Sequence, residues 1–414
     1  MEAYELESSE ISWQGFIPTH WNKDKLFRLC EKMGSGGTPT STNENYYGGN
    51  IPWIQSGDLT DGYVSVTKKT ITEEALNNSS AKMFSKGTLL VAMYGATIGK
   101  LGIMEMDAAT NQACCALQVS KKFFSKFTYY VLLDMRELLI SEAYGGSQPN
   151  ISQETLKHQY MFIPSIEEQK AIAEYLDKAC QNIDKTISLK QQQLEKLEAY
   201  RKSVIHEAVT KGLDKTVTMK GSGVEWLGET PEHWKIKRIK DIAELKSGNT
   251  ITSLQIQKDE GHYPVYGGNG LRGYTDSYTH NGYKVLIGRQ GDLCGNINYV
   301  DGVYFATEHA VVCAPYFDLN VLWFGELLRV MNLNQYSNAA AQAGLSVGKI
   351  KRLKIPLPPK NERLAIEVYL KANNEKTEET IAVMEKQIKT LTQYRQSLIH
   401  ECVTGKKRVY QSNK

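Results

Sequence analysis

Two long stretches of the chain place apolar residues at alternating steps of three and four. They cover about residues 166–212 and 360–405, and neither contains Pro or Gly before its end. This spacing is typical of a long helix with an apolar seam for another helix. The predicted seam residues are Ile172, Leu176, Ile183, Leu194, Leu197 and Val204 in the first stretch and Ile366, Leu370, Met384, Leu391 and Leu398 in the second.

Each predicted helix is about 65–70 Å long, at roughly 1.5 Å per residue. Neither can bury its apolar stripe alone, so we expect the two to pack together, antiparallel if the chain has pseudo-two-fold symmetry. Asn373 and Thr377 stand where the first helix has Ala179 and Ile183. These polar residues either weaken the seam or fix its register.

The chain repeats itself, which favours an internal pseudo-two-fold symmetry. The motif from Trp13 to Trp21 returns from Trp226 to Trp234, 213 positions later. The helical stretch returns at an offset of 194 without a gap. A chain built from two similar halves can face a two-fold symmetric partner or substrate.

The remaining segments are rich in Gly, Tyr, Thr and short β-type runs, and they are related to one another. Residues 110–113 match residues 307–310, and the first segment carries roughly 17 extra residues before Gly95. That stretch includes residues 46–54, for which we expect no counterpart in the second segment. The predicted fold class is α+β: two β-rich mixed α/β domains alternate with two long helices that pair as an antiparallel coiled coil. The predicted boundaries are 1–162, 163–214, 215–357 and 358–414.

Composition narrows the class of protein. The net charge of +3 allows nucleic-acid binding through local patches without arguing for it. Seven scattered cysteines without a CxxC pair argue against a disulfide framework or a zinc site and favour a reducing cytoplasm. No apolar run approaches the roughly 18 residues that span a bilayer, and the first residues do not resemble a secretory signal.

Motifs that suggest chemistry have simpler interpretations. Residues 268–273 fit GxGxxG, but no helical periodicity follows, so a turn between strands is favoured over a dinucleotide site. His206 and His400 recur in a repeated Ile-His-Glu near the helix ends, where a packing or helix-dipole role is favoured over metal binding. No nucleophile–base arrangement and no metal cluster stands out. We therefore predict no catalytic residue, no bound metal and no cofactor in this chain.

The order of these motifs resembles the DNA-specificity (S) subunits of type I restriction–modification systems, over nearly the whole chain. The resemblance rests on the repeated Trp-x-Gly…Pro-x-His-Trp lead-in and on Gly36-Gly37-Thr38-Pro39 in the first module. It also rests on residues 263–270 in the second module and on a Pro-led joint before each helix. The first joint has Glu167-Glu168-Gln169, whereas the second has Lys360-Asn361-Glu362-Arg363, which is interpreted as variation in helix capping.

The resemblance implies two target-recognition domains, which read the halves of a bipartite DNA site, and a coiled-coil spacer between them. It also implies a complex with two methyltransferase (M) subunits, which bind S-adenosylmethionine, and two restriction (R) subunits, which use ATP and Mg²⁺. One alternative is a stand-alone sequence-specific DNA-binding regulator. A self-sufficient methyltransferase is disfavoured because the chain lacks an Asn/Asp-Pro-Pro-aromatic loop.

The two modules differ in loop sequence, so we expect an asymmetric, non-palindromic target. Base readout needs polar side chains at base edges. Arg272 and Arg289 are the strongest candidates, because Arg can pair bidentately with guanine. Each candidate could instead be a turn residue or a solvated charge. The full set is Tyr94, Thr97, Lys100, Gln148, Asn150 and Ser152 in the first module and Asn269, Arg272, Arg289, Gln290, Gln342, Ser346 and Lys349 in the second.

Overall fold

The computed structural model describes residues 4–11, 13–145, 149–291, 293–337 and 344–410. The chain divides into two compact units. Unit 1 comprises residues 1–189 and 387–414, and unit 2 comprises residues 190–386. Each unit therefore contains one β-rich module and part of each long helix. The four predicted boundaries mark the modules and helices along the chain, and they remain predictions.

The described residues of unit 1 form two larger sheets and two separate strand pairs, β1-β2 and β13-β3. One larger sheet has the strand order β4-β12-β9-β10-β6 and the other β7-β5-β11-β8. The elements are β1 (Leu6–Ser8), β2 (Phe16–Pro18), β3 (Asn22–Lys25), α1 (Leu26–Leu29), β4 (Cys30–Ser35), β5 (Tyr47–Ile54), β6 (Gly62–Val64), β7 (Lys69–Ile71), α2 (Glu73–Asn77), β8 (Lys82–Phe84), β9 (Leu89–Ala92), β10 (Leu101–Met104), β11 (Ala108–Thr110), β12 (Cys114–Val119), α3 (Ser125–Asp134), α4 (Arg136–Ser141), α5 (Gln153–His158), β13 (Tyr160–Ile163) and the long helix α6 (Ile166–Lys211).

Unit 2 repeats this plan, with sheets ordered β17-β24-β21-β22 and β19-β18-β23-β20. The elements are β14 (Met219–Gly221), β15 (Glu229–Pro231), β16 (Lys235–Arg238), β17 (Ala243–Ser247), β18 (Tyr263–Gly267), β19 (Gly270–Thr275), β20 (His280–Asn281), β21 (Lys284–Gly288), β22 (Ile297–Val300), β23 (Val303–Ala306), β24 (Ala310–Pro315), α7 (Val321–Val330), α8 (Val347–Arg352), β25 (Lys354–Leu357) and the long helix α9 (Lys360–Val403).

The expectation that residues 46–54 have no counterpart is wrong. These residues form β5, which pairs in parallel with β11, as β18 pairs in parallel with β23. The extra residues of unit 1 fall between β5 and β9, where β6 and α2 are added. The sequence comparison missed this because parallel pairing joins residues far apart in the chain, and the two strands share little sequence.

The match of residues 110–113 with 307–310 is one residue out of register. Thr110 lies opposite Ile54 in unit 1, and Ala306 lies opposite Tyr266 in unit 2. The structural counterpart of Thr307 is therefore Asn111, whose N–H donates to Ile54 as that of Thr307 donates to Tyr266. Two threonines aligned more easily than a threonine and an asparagine, although the strand pairing sets the true register.

The two long helices confirm the predicted periodicity. Within unit 1, Leu176 near the start of α6 shares a core with Leu398 near the end of α9, so the helices pack antiparallel. Within unit 2, Ile205 and Ile366 share a core in the same way. The predicted seam is buried near the β-rich modules and half-buried along the middle of the helices. The buried residues are Ile172, Leu176, Ile183, Ile366, Leu370 and Leu398, and the half-buried ones are Leu194, Leu197, Val204, Met384 and Leu391.

A polar contact between the two helices recurs in both units. In unit 1, Arg395 Nε lies 2.8 Å from Asp184 Oδ1. In unit 2, the equivalent Arg201 donates to Glu378 Oε1 (2.7 Å) and to Asn374 Oδ1 (3.1 Å). These contacts involve Asn374 and not Asn373 or Thr377, so whether those two polar seam positions weaken the seam or fix its register stays a prediction.

The repeated His-Trp motif fastens each module to the first turn of its helix. In unit 1, the buried Glu168 accepts hydrogen bonds from Tyr4 Oη (2.6 Å) and Trp21 Nε1 (3.3 Å), and its Oε2 lies 3.0 Å from His20 Nε2. Burial and the nearby Glu168 carboxylate raise the pKa of Tyr4, so its hydroxyl remains a donor. Unit 2 makes equivalent contacts, so the motif has the same structural role in both repeats.

In unit 2, Glu362 takes the position of Glu168. It accepts from Trp234 Nε1 (2.9 Å) and lies 2.7 Å from His233 Nε2. The following residue also has one role in both units. Gln169 Nε2 donates to Pro164 O, and Arg363 Nη1 donates to Pro358 O. The two joints therefore differ in the side chain that donates, Gln169 or Arg363, but each donor bonds the equivalent proline carbonyl.

Candidate nucleic-acid interface

Three segments of unit 2 meet at the end of β21. They are the β18–β19 turn, the residues after Gly288, and the loop from β23 to β24. A Cβ on Gly288 would lie 2.2 Å from Gly268 O, and one on Gly268 would lie 3.0 Å from His309 O. Only glycine permits so close an approach of the backbones. The GxGxxG motif therefore forms a strand turn, as predicted, and serves close packing at the candidate interface.

Arg289 lies at the centre of this junction and is held through its own backbone. Its N–H donates to His309 O (2.9 Å), and its carbonyl accepts from Leu345 N–H (2.9 Å). The half-buried side chain donates from Nη1 to Ser247 Oγ (3.2 Å). Among the described residues no carboxylate lies within 4.0 Å of its guanidinium group. A fixed guanidinium without an acidic partner is suited to the acceptors of DNA.

Arg272 and Asn269 lie on the neighbouring hairpin, and both are exposed. The stem of Arg272 passes over Gly267, where a Cβ would come within 2.6 Å of Arg272 Cδ. No carboxylate of the described ranges pairs with Arg272 either. The structure thus brings Asn269 and Arg272 to a hairpin that packs against the segment carrying Arg289.

The equivalent loop of unit 1 has the same backbone pattern with different side chains. Met93 N–H donates to Ala113 O (2.8 Å) and Met93 O accepts from Ile151 N–H (2.7 Å). Tyr94 and Asn150 form an antiparallel bridge, as Gln290 and Gly344 do in unit 2. The structure therefore brings the candidates Tyr94 and Asn150 together.

Tyr94 is a half-buried side chain that remains a neutral donor. Burial raises its pKa, although a hydrogen bond with Gln112 acts in the opposite direction. Gln112 Oε1 also accepts from Thr38 Oγ1 (2.5 Å). Thr97 and Lys100 follow on the next turn and are half-buried. Sequence reasoning missed Gln112 and Thr38 as candidates, although both lie within motifs already noted.

The remaining candidates have mixed surroundings. Ser152 Oγ accepts from Thr155 N–H (2.9 Å) and so caps α5, which gives it a structural role. Ser346 and Lys349 are exposed at the start of α8, and Ser346 makes no side-chain cap. The predicted residues Gln148 and Gln342 lie outside the described residues.

Metal-ligating and thiol groups are distributed as follows in the described part of the chain. No group of three or more His, Cys, Asp or Glu there could hold a metal ion. Burial raises the pKa of the thiols of Cys114, Cys115, Cys313 and Cys402 to about 12, which leaves them protonated and unreactive at neutral pH. In addition, none of the described helices has the length and apolarity to cross a membrane.

The two repeated histidines have different surroundings. His206 is exposed, whereas His400 Nδ1 lies 3.0 Å from Asp134 Oδ2 and its Nε2 lies 2.8 Å from Lys406 Nζ. His400 borders an open cavity of about 640 Å³ in unit 1, which Arg136 and Arg395 also line. These contacts fit the packing role that was favoured for His400.

Comparisons with known proteins agree with this architecture. The sequence matches the family described as type I restriction modification DNA specificity domain over residues 18–199 and 231–393. It is 28% identical over 373 residues to the EcoprrI specificity subunit of Escherichia coli, covering 88% of each chain. It is 30% identical over 260 residues to the MjaIX specificity subunit of Methanocaldococcus jannaschii, covering 60% of this chain and 58% of that one.

Two solved structures share the fold at low sequence identity. One is a chain from a study of complex assembly and conformational transition in the type I R-M system, with a TM-score of 0.75, 14% identity and coverage of 94% of this chain and 99% of that one. The other is the HsdS subunit from Thermoanaerobacter tengcongensis, with a TM-score of 0.53, 14% identity and coverage of 94% and 98%. Because the family match extends over both units, this chain belongs to the type I restriction–modification DNA-specificity family.

Proposed function

We propose that this chain is a non-catalytic subunit that reads a bipartite, asymmetric DNA site, one half with each unit. The observation that carries the proposal is the pair of equivalent loops, Met93-Tyr94 in unit 1 and Arg289-Gln290 in unit 2. Their backbones make the same hydrogen bonds, but their side chains differ. Because side chains at base edges determine sequence readout, the two half-sites should differ in sequence.

The proposal includes two methyltransferase subunits docked on the helices. Each unit presents the same helical motif, Tyr-Arg…Ile-His-Glu, from α6 in unit 2 and from α9 in unit 1. Two copies of one surface suit two identical partners. The helices would set the gap between half-sites, as dimer geometry does in other DNA readers. Restriction subunits would join this complex.

In this proposal the chain itself binds no cofactor. S-adenosylmethionine would be bound by the methyltransferase subunits, and ATP and Mg²⁺ by the restriction subunits. The contribution of this chain would be the selection of the DNA sequence.

The test is base-resolved mapping of N6-methyladenine in cells that express this chain with its neighbouring methyltransferase subunit. We expect methylation at one gapped, asymmetric motif, and none with the methyltransferase alone. An Arg289→Ala variant should change the motif in one half only. Failure to form a complex with the methyltransferase, together with tight binding to a site by this chain alone, would instead support a stand-alone regulator.

A further inference from the structure

Unit 2 carries a dense group of cations beside the Arg289 loop. They lie on β16 and the turn after it, on β17, on α8 and at the start of β25. All are exposed except Lys351, which is half-buried. This group, called the basic face below, consists of Lys237, Arg238, Lys240, Lys246, Lys349, Lys351, Arg352 and Lys354.

The fold makes these residues neighbours. Arg238 lies opposite Lys354 in the antiparallel pairing of β16 with β25. The turn after β16 is tied to the end of α8, because Ile239 N–H donates to Leu353 O (3.0 Å). The potential of Lys351 also reaches β17. The pKa of the Glu244 carboxyl lies below its usual value because Lys246 donates a hydrogen bond to it, and Lys351 contributes to this lowering.

Few carboxylates pair directly with the side chains of the basic face, although Asp241 accepts from the backbone N–H of Arg238 (3.2 Å) and Glu225 lines one cavity with Arg352 and Lys354. Of its eight residues, only Lys246 has a carboxylate within 4.0 Å among the described residues, Glu244 at 2.8 Å. That pair is largely exposed, so it neutralises little of the local potential. Neighbouring cations of the basic face repel one another, and this repulsion is relieved when an anionic partner binds.

Unit 1 does not have this face. The equivalent positions of unit 1 hold two cations, Lys25 and Lys157, in place of eight. The eight positions are Asp24, Lys25, Phe27, Gly34, Thr155, Lys157, His158 and Tyr160. Other contacts engage both cations. Lys157 Nζ pairs with Glu154 Oε1 (2.6 Å), and Lys25 Nζ lies 5.2 Å from the centre of the Tyr160 ring. The basic face is therefore a property of one unit and not of the shared fold.

The basic face continues directly from the candidate base-reading residues and includes one of them, Lys349, which the inference assigns to the phosphate backbone and not to a base. Leu345 N–H donates to Arg289 O (2.9 Å), and Ser346 then begins α8, which carries Lys349 and Arg352. Ser247 Oγ accepts from Arg289 on one face of β17, whereas Lys246, the preceding residue of the strand, points to the opposite face. A ligand that meets the Arg289 side chain is thus adjacent to the cations of α8.

We propose that the basic face of unit 2 binds the phosphate backbone of duplex DNA next to the bases read by that unit. These contacts add an affinity for DNA that is largely independent of sequence, and unit 1 lacks them. The inference rests on the proposed function and adds an unequal division of labour between the units. Six of the eight residues are lysines, whose flexible point charges suit phosphates better than base edges. An acidic surface of a partner protein is the competing occupant, which the experiment distinguishes.

The experiment compares two double variants with equal loss of charge, each in the complex of the full chain with its methyltransferase subunits. Lys349→Gln with Arg352→Gln removes two charges from the basic face. Lys121→Gln with Lys122→Gln removes two exposed charges from a turn of unit 1. Binding to the mapped target and to a scrambled duplex is measured from about 0.05 to 0.3 M salt. Each lost phosphate contact should reduce the slope of log K against log salt by about 0.9.

The basic-face variant should lose roughly 10- to 100-fold in affinity at about 0.1 M salt, equally for both duplexes, with a slope smaller by about 2. The control should bind like the wild type. A charge-preserving variant, Lys349→Arg with Arg352→Lys, should retain the wild-type slope, which separates loss of charge from misfolding of α8.

The outcomes separate this inference from the proposed function. If the wild-type complex methylates one gapped motif but the basic-face variant keeps the wild-type slope, only the inference is overturned. It is also overturned if the variant binds DNA normally but no longer assembles with its partner subunits, because the face would then bind protein. If no gapped motif is methylated at all, it is the proposed function that fails.

Discussion

The loops around Tyr94 in unit 1 and Gln290 in unit 2 share a backbone and differ in their side chains. In both units the residue before them donates to the loop that joins β11 to β12 in unit 1 and β23 to β24 in unit 2, and accepts from the segment that leads to a short helix. That preceding residue is a buried methionine, Met93, in unit 1 and a half-buried arginine, Arg289, in unit 2. The comparison teaches that glycines and backbone hydrogen bonds define the scaffold, while the side chains placed on it are free to vary.

The largest expected effect tests whether the scaffold is shared. A Cβ on Gly36 would lie 2.0 Å from Thr110 O, and one on Gly248 would lie 2.1 Å from Ala306 O. Gly36→Ala and Gly248→Ala should each lower the free energy of unfolding of their own unit by about 3 kcal/mol, because backbone must move to admit the methyl group.

Urea unfolding followed by hydrogen exchange of peptides from each unit measures this effect, since the two units need not unfold together. Gly62→Ala and Gly221→Ala are matched controls, because no heavy atom lies within 4 Å of either added Cβ. If only one of the two substitutions lowered the stability of its unit, the contacts of Gly36 and Gly248 would not be structurally equivalent.

A smaller and unequal effect is expected where each module joins its helix. The side chain of Glu168 is 3% exposed, whereas that of Glu362 is 35% exposed. Glu168→Ala should destabilise unit 1 by about 2–3 kcal/mol, because it leaves buried donors without an acceptor. Glu362→Ala should destabilise unit 2 by about 1 kcal/mol. The same exchange experiment measures both, with the exposed Glu167→Ala as control. Equal losses would contradict the difference in burial.

The third prediction concerns the reading of DNA. Arg289→Met gives unit 2 the residue that unit 1 has at the equivalent position, Met93, and removes the positive charge of Arg289. We expect a loss of about 1–3 kcal/mol in discrimination at one base pair of one half-site. Methylation mapping and competition binding measure this change. Met93→Leu, a volume-conserving change at the equivalent position, should leave the motif unaltered. A motif unchanged by Arg289→Met would remove Arg289 from the readout.

The smallest effect is a dependence on pH confined to unit 2. Burial lowers the pKa of His280, which stacks on Tyr304, and the charge of Lys284 acts in the same direction. The equivalent residue of unit 1 is Phe84, which does not titrate. Because the folded-state pKa is below the unfolded value of about 6.5, protonation favours unfolding. The stabilisation is therefore complete above about pH 6.5 and is lost as the pH falls below it.

Unit 2 should lose about 0.5 kcal/mol or less through His280 between roughly pH 7.5 and pH 5.5, since the group is only half-buried. Hydrogen exchange corrected for intrinsic rates measures this loss. A His280→Phe variant should remove that part of the pH dependence from unit 2 and leave unit 1 unchanged. A pH dependence that survives the substitution would assign it to other groups.

Local patterns predicted the helices well and the sheets poorly. The stretches predicted at about 166–212 and 360–405 form α6 and α9, because helical periodicity can be recognised from residues that are close together in the sequence. The equivalence of β5 and β18 and the register of Thr110 against Ala306 depend on partners distant in the chain, which no local pattern encodes.

The candidate site was predicted in the same uneven way. Arg289, Gln290, Tyr94 and Asn150 were found because they sit beside repeated glycines or in repeated motifs. The role of Glu168 was missed. Its partners Tyr4 and Trp21 are more than 140 positions away, so the sequence suggested only variation in helix capping at this joint.

Unit 2 is one continuous segment, whereas unit 1 is assembled from two segments separated by residues 190–386. On a ribosome, unit 2 can therefore fold as soon as its own residues emerge. The core of unit 1 lacks Leu398, Ile399, Cys402 and Val403 until the end of α9 has been synthesised. Until then its partly built apolar surface stays open to incorrect contacts, including those with a second nascent chain. The order of synthesis thus makes unit 1 the later and more vulnerable half of a protein whose two halves share one fold.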